Sequence, residues 1–216
     1  MSILFRVRSD SFAVNKIIPY TTMKAIKLLF SCTLVFLLSI TSYAQTGNVF
    51  VYGETGLSLG THTSGKLALN AIINKSIFSV AYFGSARKSP TVPADFQPFL
   101  WDDAQTVSVI ALMYGRVIYT QNNAVRYNIK GGIGIGKTMT PMNFVKANHG
   151  YLLGSGYDFE RHEEQIVGLI LNPCVELPFS RGFGFNFGAY ANVNLVSPVA
   201  GIEATMAFGY LRKVRK

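Results

Sequence analysis

Charged residues are scarce in this sequence. Asp, Glu, Lys and Arg make up 14% of its 216 residues, against about 25% in an average soluble domain. A water-soluble globule of this size needs more charge to cover its surface, and an apolar content of 49% excludes a disordered chain. The deficit indicates a membrane protein or one with a large buried surface.

Long apolar runs are also missing. The N-terminal apolar stretch, residues 28–40, has 13 residues, whereas a membrane-spanning helix needs about 20. A transmembrane anchor is therefore the weaker alternative. The basic stretch 23–27 precedes this run and the small-residue ending Ser42-Tyr43-Ala44 follows it. This layout predicts a signal peptide over residues 23–44, cleaved after Ala44.

The predicted cleavage defines the mature chain. Residues 1–22 lie upstream of the signal, and we interpret them as an over-extended N-terminus with Met23 as the true start. Lipidation at Cys32, inside the apolar run, is the weaker alternative. Cleavage leaves residues 45–216 as one domain and, by removing five basic residues and one acidic, lowers the net charge from +9 to +5. Without a basic stripe, this mild charge argues against a nucleic-acid partner. Only Cys174 remains, so an internal disulfide is excluded.

Apolar and polar residues alternate along the mature chain. Over residues 183–196, aromatic and aliphatic residues occupy every second position, with mostly Gly and Asn between them. Successive side chains of a strand point to opposite faces, so this pattern predicts a strand with two different faces. Pro173 removes a backbone donor from one strand, where we expect a bulge. We predict eight strands, near residues 48–59, 66–73, 77–85, 106–119, 124–136, 164–178, 183–196 and 200–212.

The connections between these strands differ in length from one rim to the other. Three connections have three or four residues, whereas the opposite rim carries two long loops, 86–105 and 137–163, and two short ones. This asymmetry, with an even strand number, is typical of bacterial outer-membrane barrels. In hydrocarbon every backbone polar group must be paired internally, so the sheet must close. The predicted fold is all-β: an eight-stranded antiparallel up-and-down transmembrane β-barrel, preceded by a signal-peptide helix.

Charged residues fall on the inward faces of the predicted strands. An eight-stranded barrel is narrow, and its own side chains fill it. Charges of both signs inside it are poorly solvated singly and are stabilised by pairing. We therefore predict a salt-bridged plug, with an ion or proton pathway as the alternative. The predicted lumen charge network consists of Glu54, Arg116, Arg126, Lys130, Glu176 and Glu203.

The signal peptide, the eight alternating strands and the long-loop, short-turn rhythm resemble the small outer-membrane β-barrel family. These are porin-like proteins of Gram-negative cell envelopes, such as the outer membrane protein A and X type barrels. The resemblance covers residues 46–212 by pattern, without a family motif. It implies contact with outer-membrane lipid and lipopolysaccharide, and insertion by the barrel assembly machinery. Family chains usually end at an aromatic residue, whereas here the basic segment 211–216 follows Tyr210.

Residues 131–138, with the sequence GGIGIGKT, match the phosphate-loop pattern. A phosphate loop joins a strand to a helix whose N-terminus holds the phosphates. Here Pro141 follows, and residues 139–150 have no helical apolar period. We interpret the glycines as small inward residues in a crowded lumen, and we predict no cofactor.

The long loop 86–105 contains the only tryptophan of the chain. Phe96, Phe99 and Trp101 are candidate contact residues for an extracellular protein or surface ligand. Folding of these aromatics over the barrel mouth is an equal alternative.

The second long loop, 137–163, carries His149 and His162 among carboxylates. Two alternatives for this loop are metal binding and a Ser155–His162 pair for lipid hydrolysis. No spacing fixes either geometry, so a solvated, charged loop is the better interpretation. We therefore predict that the chain is not an enzyme and has a structural or surface-interaction role, exposing both long loops. The alternatives are an envelope lipid-modifying barrel enzyme and a secreted, lipocalin-like ligand-binding barrel.

Overall fold

A computed structural model describes residues 49–96, 103–120, 125–146 and 157–211. Each strand in these ranges pairs antiparallel with the next, and the last pairs with the first, so the sheet closes into a barrel. The predicted eight-stranded antiparallel up-and-down barrel is thereby confirmed. The strands are β1 (Val49–Gly60), β2 (Thr63–Ile73), β3 (Ser76–Lys88), β4 (Ala104–Tyr119), β5 (Arg126–Lys146), β6 (Tyr157–Pro178), β7 (Phe183–Val193) and β8 (Val199–Tyr210).

The predicted signal peptide, the segment 1–22 and the basic tail beyond Leu211 lie outside the described residues. No helix in the described part of the chain is both long and apolar enough to cross a membrane.

The alternation predicted from the sequence becomes an inside and an outside. On β4, Val107, Val109 and Ala111 are buried in the lumen, whereas Ile110 and Leu112 are exposed on the outer surface. The same alternation on the other strands covers the outer surface with Leu, Ile, Val and aromatic side chains. We call this surface the apolar belt.

The β5–β6 hairpin is longer than predicted. Residues 137–163 were expected to be a loop, but β5 continues to Lys146 and β6 begins at Tyr157. The last β4–β5 pair is Thr106–Met139, so seven residues of β5 project beyond it, a strand length of about 23 Å. We call residues 140–146 and 157–162 the extended hairpin. Its sequence contains Lys146, Asp158, Glu160 and Arg161, so the apolar–polar alternation stops before the strands do.

Pro173 interrupts the β6–β7 ladder without a bulge, contrary to expectation. The pairs on either side, Leu171–Ala191 and Cys174–Gly188, share one register. The side chain of Asn172 donates a hydrogen bond of 2.8 Å to the carbonyl oxygen of Ala189, opposite Pro173. This bond satisfies an acceptor that proline cannot. A register shift lies instead between β5 and β6, at Met142/Val145.

The glycine-rich segment 131–138 lies within β5 and is paired on both sides, with β4 and with β6. A Cβ atom at Gly132 would lie 1.9 Å from the carbonyl oxygen of Leu112. Only glycine permits this close approach of the two strands. No helix follows the segment, which therefore lacks the geometry of a phosphate loop.

Candidate functional site

The centre of the lumen is built around the carboxylate of Glu54. The ammonium group of Lys66 lies 2.8 Å from Glu54 Oε1 and 2.9 Å from Glu203 Oε1. Lys130 Nζ lies 3.5 Å from Glu54 Oε2, and the hydroxyl of Thr205 donates to Glu54 Oε1 at 2.7 Å. Alternate positions on three neighbouring strands, β8, β1 and β2, bring Glu203, Glu54 and Lys66 together. One carboxylate thus compensates two buried cations.

A second ion pair lies between this centre and Leu211, the residue that follows β8. Arg126 Nη2 lies 2.8 Å from Glu176 Oε2, and Arg126 Nη1 donates to the carbonyl oxygen of Leu211 at 3.0 Å. Tyr52 donates its hydroxyl proton to Glu176, and Asn128 Nδ2 donates to the same carboxylate at 2.6 Å. These hydrogen bonds replace part of the hydration that both charges lose on burial.

The buried lumen charges of the described residues balance. Three cations face three carboxylates, and each of these residues is at most 5% exposed. A neutral, paired set avoids the cost of an uncompensated buried charge. The six are Lys66, Arg126, Lys130, Glu54, Glu176 and Glu203.

The structure brings five of the six predicted network residues together and excludes one. Arg116 was expected inside, but its side chain is exposed on the outer surface of β4. β4 is apolar on both faces, so its alternation contained no signal for which face points inward. Sequence reasoning also missed Lys66. Its signal was available, since Lys66 and Asn70 alternate with the outward Leu67.

Apolar layers cover the ionic network at both ends. Phe50, Ile72, Ile77, Val117 and Leu211 belong to a buried cluster at the end where the barrel begins and finishes. A second buried cluster lies toward the opposite end, where the rings of Phe83 and Tyr190 stack at 4.1 Å. These two apolar clusters border the charged residues within the lumen.

A Ser–His pair lies at the end of the barrel that carries the long connections, which we call the long-loop rim. The ring of His62 lies with Nε2 3.5 Å from Ser197 Oγ and Nδ1 3.0 Å from Thr61 Oγ1. Both His62 and Ser197 are buried, so a substrate has no direct access to the serine. The pair links the β1–β2 turn to the β7–β8 turn. Ser155 of the alternative Ser155–His162 pair lies outside the described residues, as does His149.

Acid should loosen this link. Burial, and then the positive charge of Arg87, lower the pKa of His62 from its ordinary 6.5 to about 4. Between pH 6.5 and pH 4, His62 binds a proton when the turn is open but not when it is closed. The closed form of the turn is therefore less stable as the pH falls. From pH 7 to pH 5 the free energy that favours the closed turn decreases by at most about 2 kcal/mol. Hydrogen exchange at the amides of Thr61 and Ala200 measures it, after correction for the intrinsic rate. The same change in His62→Gln would contradict this assignment.

The extended hairpin is fixed by an aromatic cluster on its outer face. Phe96 is buried there, with its ring centroid 5.2 Å from that of Phe144 and 6.2 Å from that of Phe159. The hydroxyl of Tyr157 donates to Asp95 at 2.6 Å. Phe96 therefore packs against its own chain, neither over the barrel mouth nor as an exposed contact. The other two candidate contact residues, Phe99 and Trp101, lie outside the described residues.

The exposed part of the hairpin is strongly polar. Residues 160–165 (ERHEEQ) are all exposed, and no group of three or more His, Cys, Asp or Glu among the described residues has metal-site geometry. β6 has no partner on its β7 side before the Leu169–Val193 pair. Charged residues on such an edge prevent uncontrolled pairing with other strands. The hairpin thus presents a soluble, charged surface.

Several known structures align with this chain. The N-terminal β-barrel domain of Pseudomonas aeruginosa OprF aligns with a TM-score of 0.51 at 8% identity, over 76% of this chain and 98% of that one. Ail, the attachment invasion locus protein of Yersinia pestis, aligns with a TM-score of 0.46 at 9% identity, over 75% and 97%. Neisserial surface protein A aligns with a TM-score of 0.46 at 12% identity, over 75% and 96%. No protein-family model and no curated protein matches the chain.

Proposed function

We propose that this chain is an outer-membrane β-barrel protein with a structural or surface-interaction role. The observation that carries the proposal is the apolar belt around a closed barrel whose polar side chains face inward. Leu112, Ile133 and Leu169 are partners across three successive strands, and each exposes more than half of its surface. A monomeric soluble protein rarely exposes a continuous apolar surface of this extent. Acyl chains solvate it well.

The filled lumen supports this proposal over a secreted, lipocalin-like barrel. A ligand-binding barrel of that kind needs an apolar cavity, whereas Glu54, Lys66 and Lys130 meet at the centre of this one. A polar interior surrounded by an outward apolar band is the arrangement of outer-membrane barrels.

Non-enzymatic action at the cell surface is the finer part of the proposal. The extended hairpin projects beyond the belt, is fixed by the Phe96 cluster, and exposes Glu160, Arg161 and His162. A rigid polar projection of this kind suits contact with an extracellular protein or surface ligand. Lipopolysaccharide and the barrel assembly machinery are the partners proposed within the envelope.

Fractionation tests the location. We expect the chain in the outer-membrane fraction, with electrophoretic mobility that changes on boiling because the closed sheet resists detergent. Recovery in a soluble form whose mobility boiling leaves unchanged would overturn the proposal. The finer role predicts that lipid A is the same in the wild-type strain and in a strain that lacks the protein. A change in lipid A that appears both in the null strain and in a Ser197→Ala strain would contradict it.

Trypsin added to intact cells tests which rim faces outward. Lys146 lies at the end of β5 with 76% of its side chain exposed, and Lys75 lies in the β2–β3 turn at the opposite rim. We expect cleavage after Lys146 in intact cells and after Lys75 only in lysed cells. The reverse pattern would place the hairpin in the periplasm.

A further inference from the structure

The rim opposite the extended hairpin, which we call the short-turn rim, carries an outward-facing group of cations and hydroxyls. Lys75 lies in the β2–β3 turn, Ser76 begins β3, and Tyr114 and Arg116 lie on the neighbouring β4. We call these four residues the rim cluster. All of them lie on the outer surface of the barrel or in its turn, where lipid would contact them.

Backbone pairing holds the rim cluster together. The amide of Val117 donates to the carbonyl oxygen of Lys75 at 2.8 Å, which fixes the turn against β4. Ser76 lies directly opposite Arg116 in the β3–β4 register. The hydroxyls of Ser76 and Tyr114 lie 3.2 Å apart. Two cations and two hydroxyls therefore share one small patch.

Arg116 lies within apolar surface. Its outward neighbours on β4 are Tyr114 and Ile118, both at least half exposed, and Ile118 is the nearer of the two to the rim. Among the described residues, no carboxylate lies within salt-bridge distance of Arg116. A cation held at the edge of an apolar belt is stabilised by an anion supplied from outside the chain.

The charge of the whole short-turn rim has the same sign. Within the described ranges, the exposed charged residues there are Lys75, Arg116 and Arg181, all positive. Toward the belt, Phe78 packs on Tyr114 at 5.1 Å between ring centroids and is followed by the outward Val80. Apolar surface thus lies next to the cationic patch, just as the acyl chain of a phospholipid lies next to its phosphate.

We propose that the rim cluster binds the phosphate of an anionic phospholipid whose acyl chain lies along Phe78 and Val80. The proposal rests on the membrane location proposed above. Arg116 and Lys75 neutralise the phosphate. In the Ser76–Tyr114 pair one hydroxyl donates to the other, so the pair has one O–H left to donate to a phosphate oxygen.

Lipid selectivity in nanodiscs tests the proposal. The full exported chain is reconstituted in phosphatidylcholine, and the restricted fraction of spin-labelled phosphatidylglycerol is compared with that of spin-labelled phosphatidylcholine. We expect a preference for phosphatidylglycerol of about fivefold for each cation. Lys75→Gln with Arg116→Gln should remove most of it, and Arg116→Lys should retain it.

The matched control is Lys88→Gln with Lys146→Gln, which removes the same charge from exposed residues of the opposite rim. An equal loss of the phosphatidylglycerol preference in this control would mean that the preference depends on net charge alone. This result would overturn the proposed lipid site. Release of the lipid by millimolar inorganic phosphate would mean a site for free phosphate. A wild-type barrel that fails to insert into the nanodisc would contradict the proposed location itself. Insertion without selectivity would contradict only the lipid site.

Discussion

Replacing Glu54 with glutamine is expected to lower the free energy of unfolding by about 3–5 kcal/mol, the typical cost of removing one partner from a buried ion pair. The amide retains the shape of the side chain but leaves Lys130 without its carboxylate 3.5 Å away. Lys66 keeps Glu203, so the uncompensated charge is concentrated on Lys130. Urea unfolding of the barrel in phosphatidylcholine vesicles, followed by the loss of heat-modifiable mobility, measures the change.

Removing the stranded cation should restore much of this stability. Lys130→Met in the Glu54→Gln background returns the lumen to zero net charge with a side chain of similar volume. An exposed pair gives the control: Glu163 Oε1 lies 3.2 Å from Lys137 Nζ with about half of each side chain exposed. Glu163→Gln should therefore change stability by no more than about 1 kcal/mol. Equal effects of Glu54→Gln and Glu163→Gln would mean that the lumen is hydrated and the network is not a dry plug.

Much of the fold followed from the period-two alternation alone. A strand such as β7, which alternates Phe with Gly and Asn, has one register that keeps its apolar face outward, so the face that points outward could be predicted. β4 has Val, Ala and Met on its inward face and Ile and Leu on its outward face, so both faces are apolar and Arg116 was assigned to the wrong side. The charge of Arg116 could not decide between the inward and the outward face, because a salt-bridged lumen and a membrane interface both accommodate an arginine.

The site followed less completely because it depends on distances between strands. Backbone pairing sets the registers of the neighbouring strands that carry Glu54, Lys66 and Glu203. Alternation predicts the face of the strand on which each residue lies, but not its position along the barrel axis. The extended hairpin escaped prediction for a different reason. Outside the apolar belt both faces of a strand meet water, so β5 and β6 continue through sequence that reads as loop.

Introducing arginine at Leu112 is expected to separate a lipid-facing belt from a surface that meets water. Leu112 lies near the middle of β4 and is 66% exposed, and Val145 on the extended hairpin is 65% exposed. The two positions are thus equally accessible and differ in their position relative to the belt. In a bilayer, Leu112→Arg should cost about 2–4 kcal/mol, as expected near the midplane, and Val145→Arg about 0–1 kcal/mol.

The measurement is reversible urea unfolding in phosphatidylcholine vesicles, with both variants compared to the wild type at one lipid concentration. Water solvates an arginine at either position, so for a soluble barrel both substitutions should fall within about 0.5 kcal/mol of zero. Equal, small effects would therefore remove the belt as the basis of the proposed location. A large penalty at Leu112 alone requires a surrounding medium that does not solvate charge, and for an exposed side chain that medium is hydrocarbon.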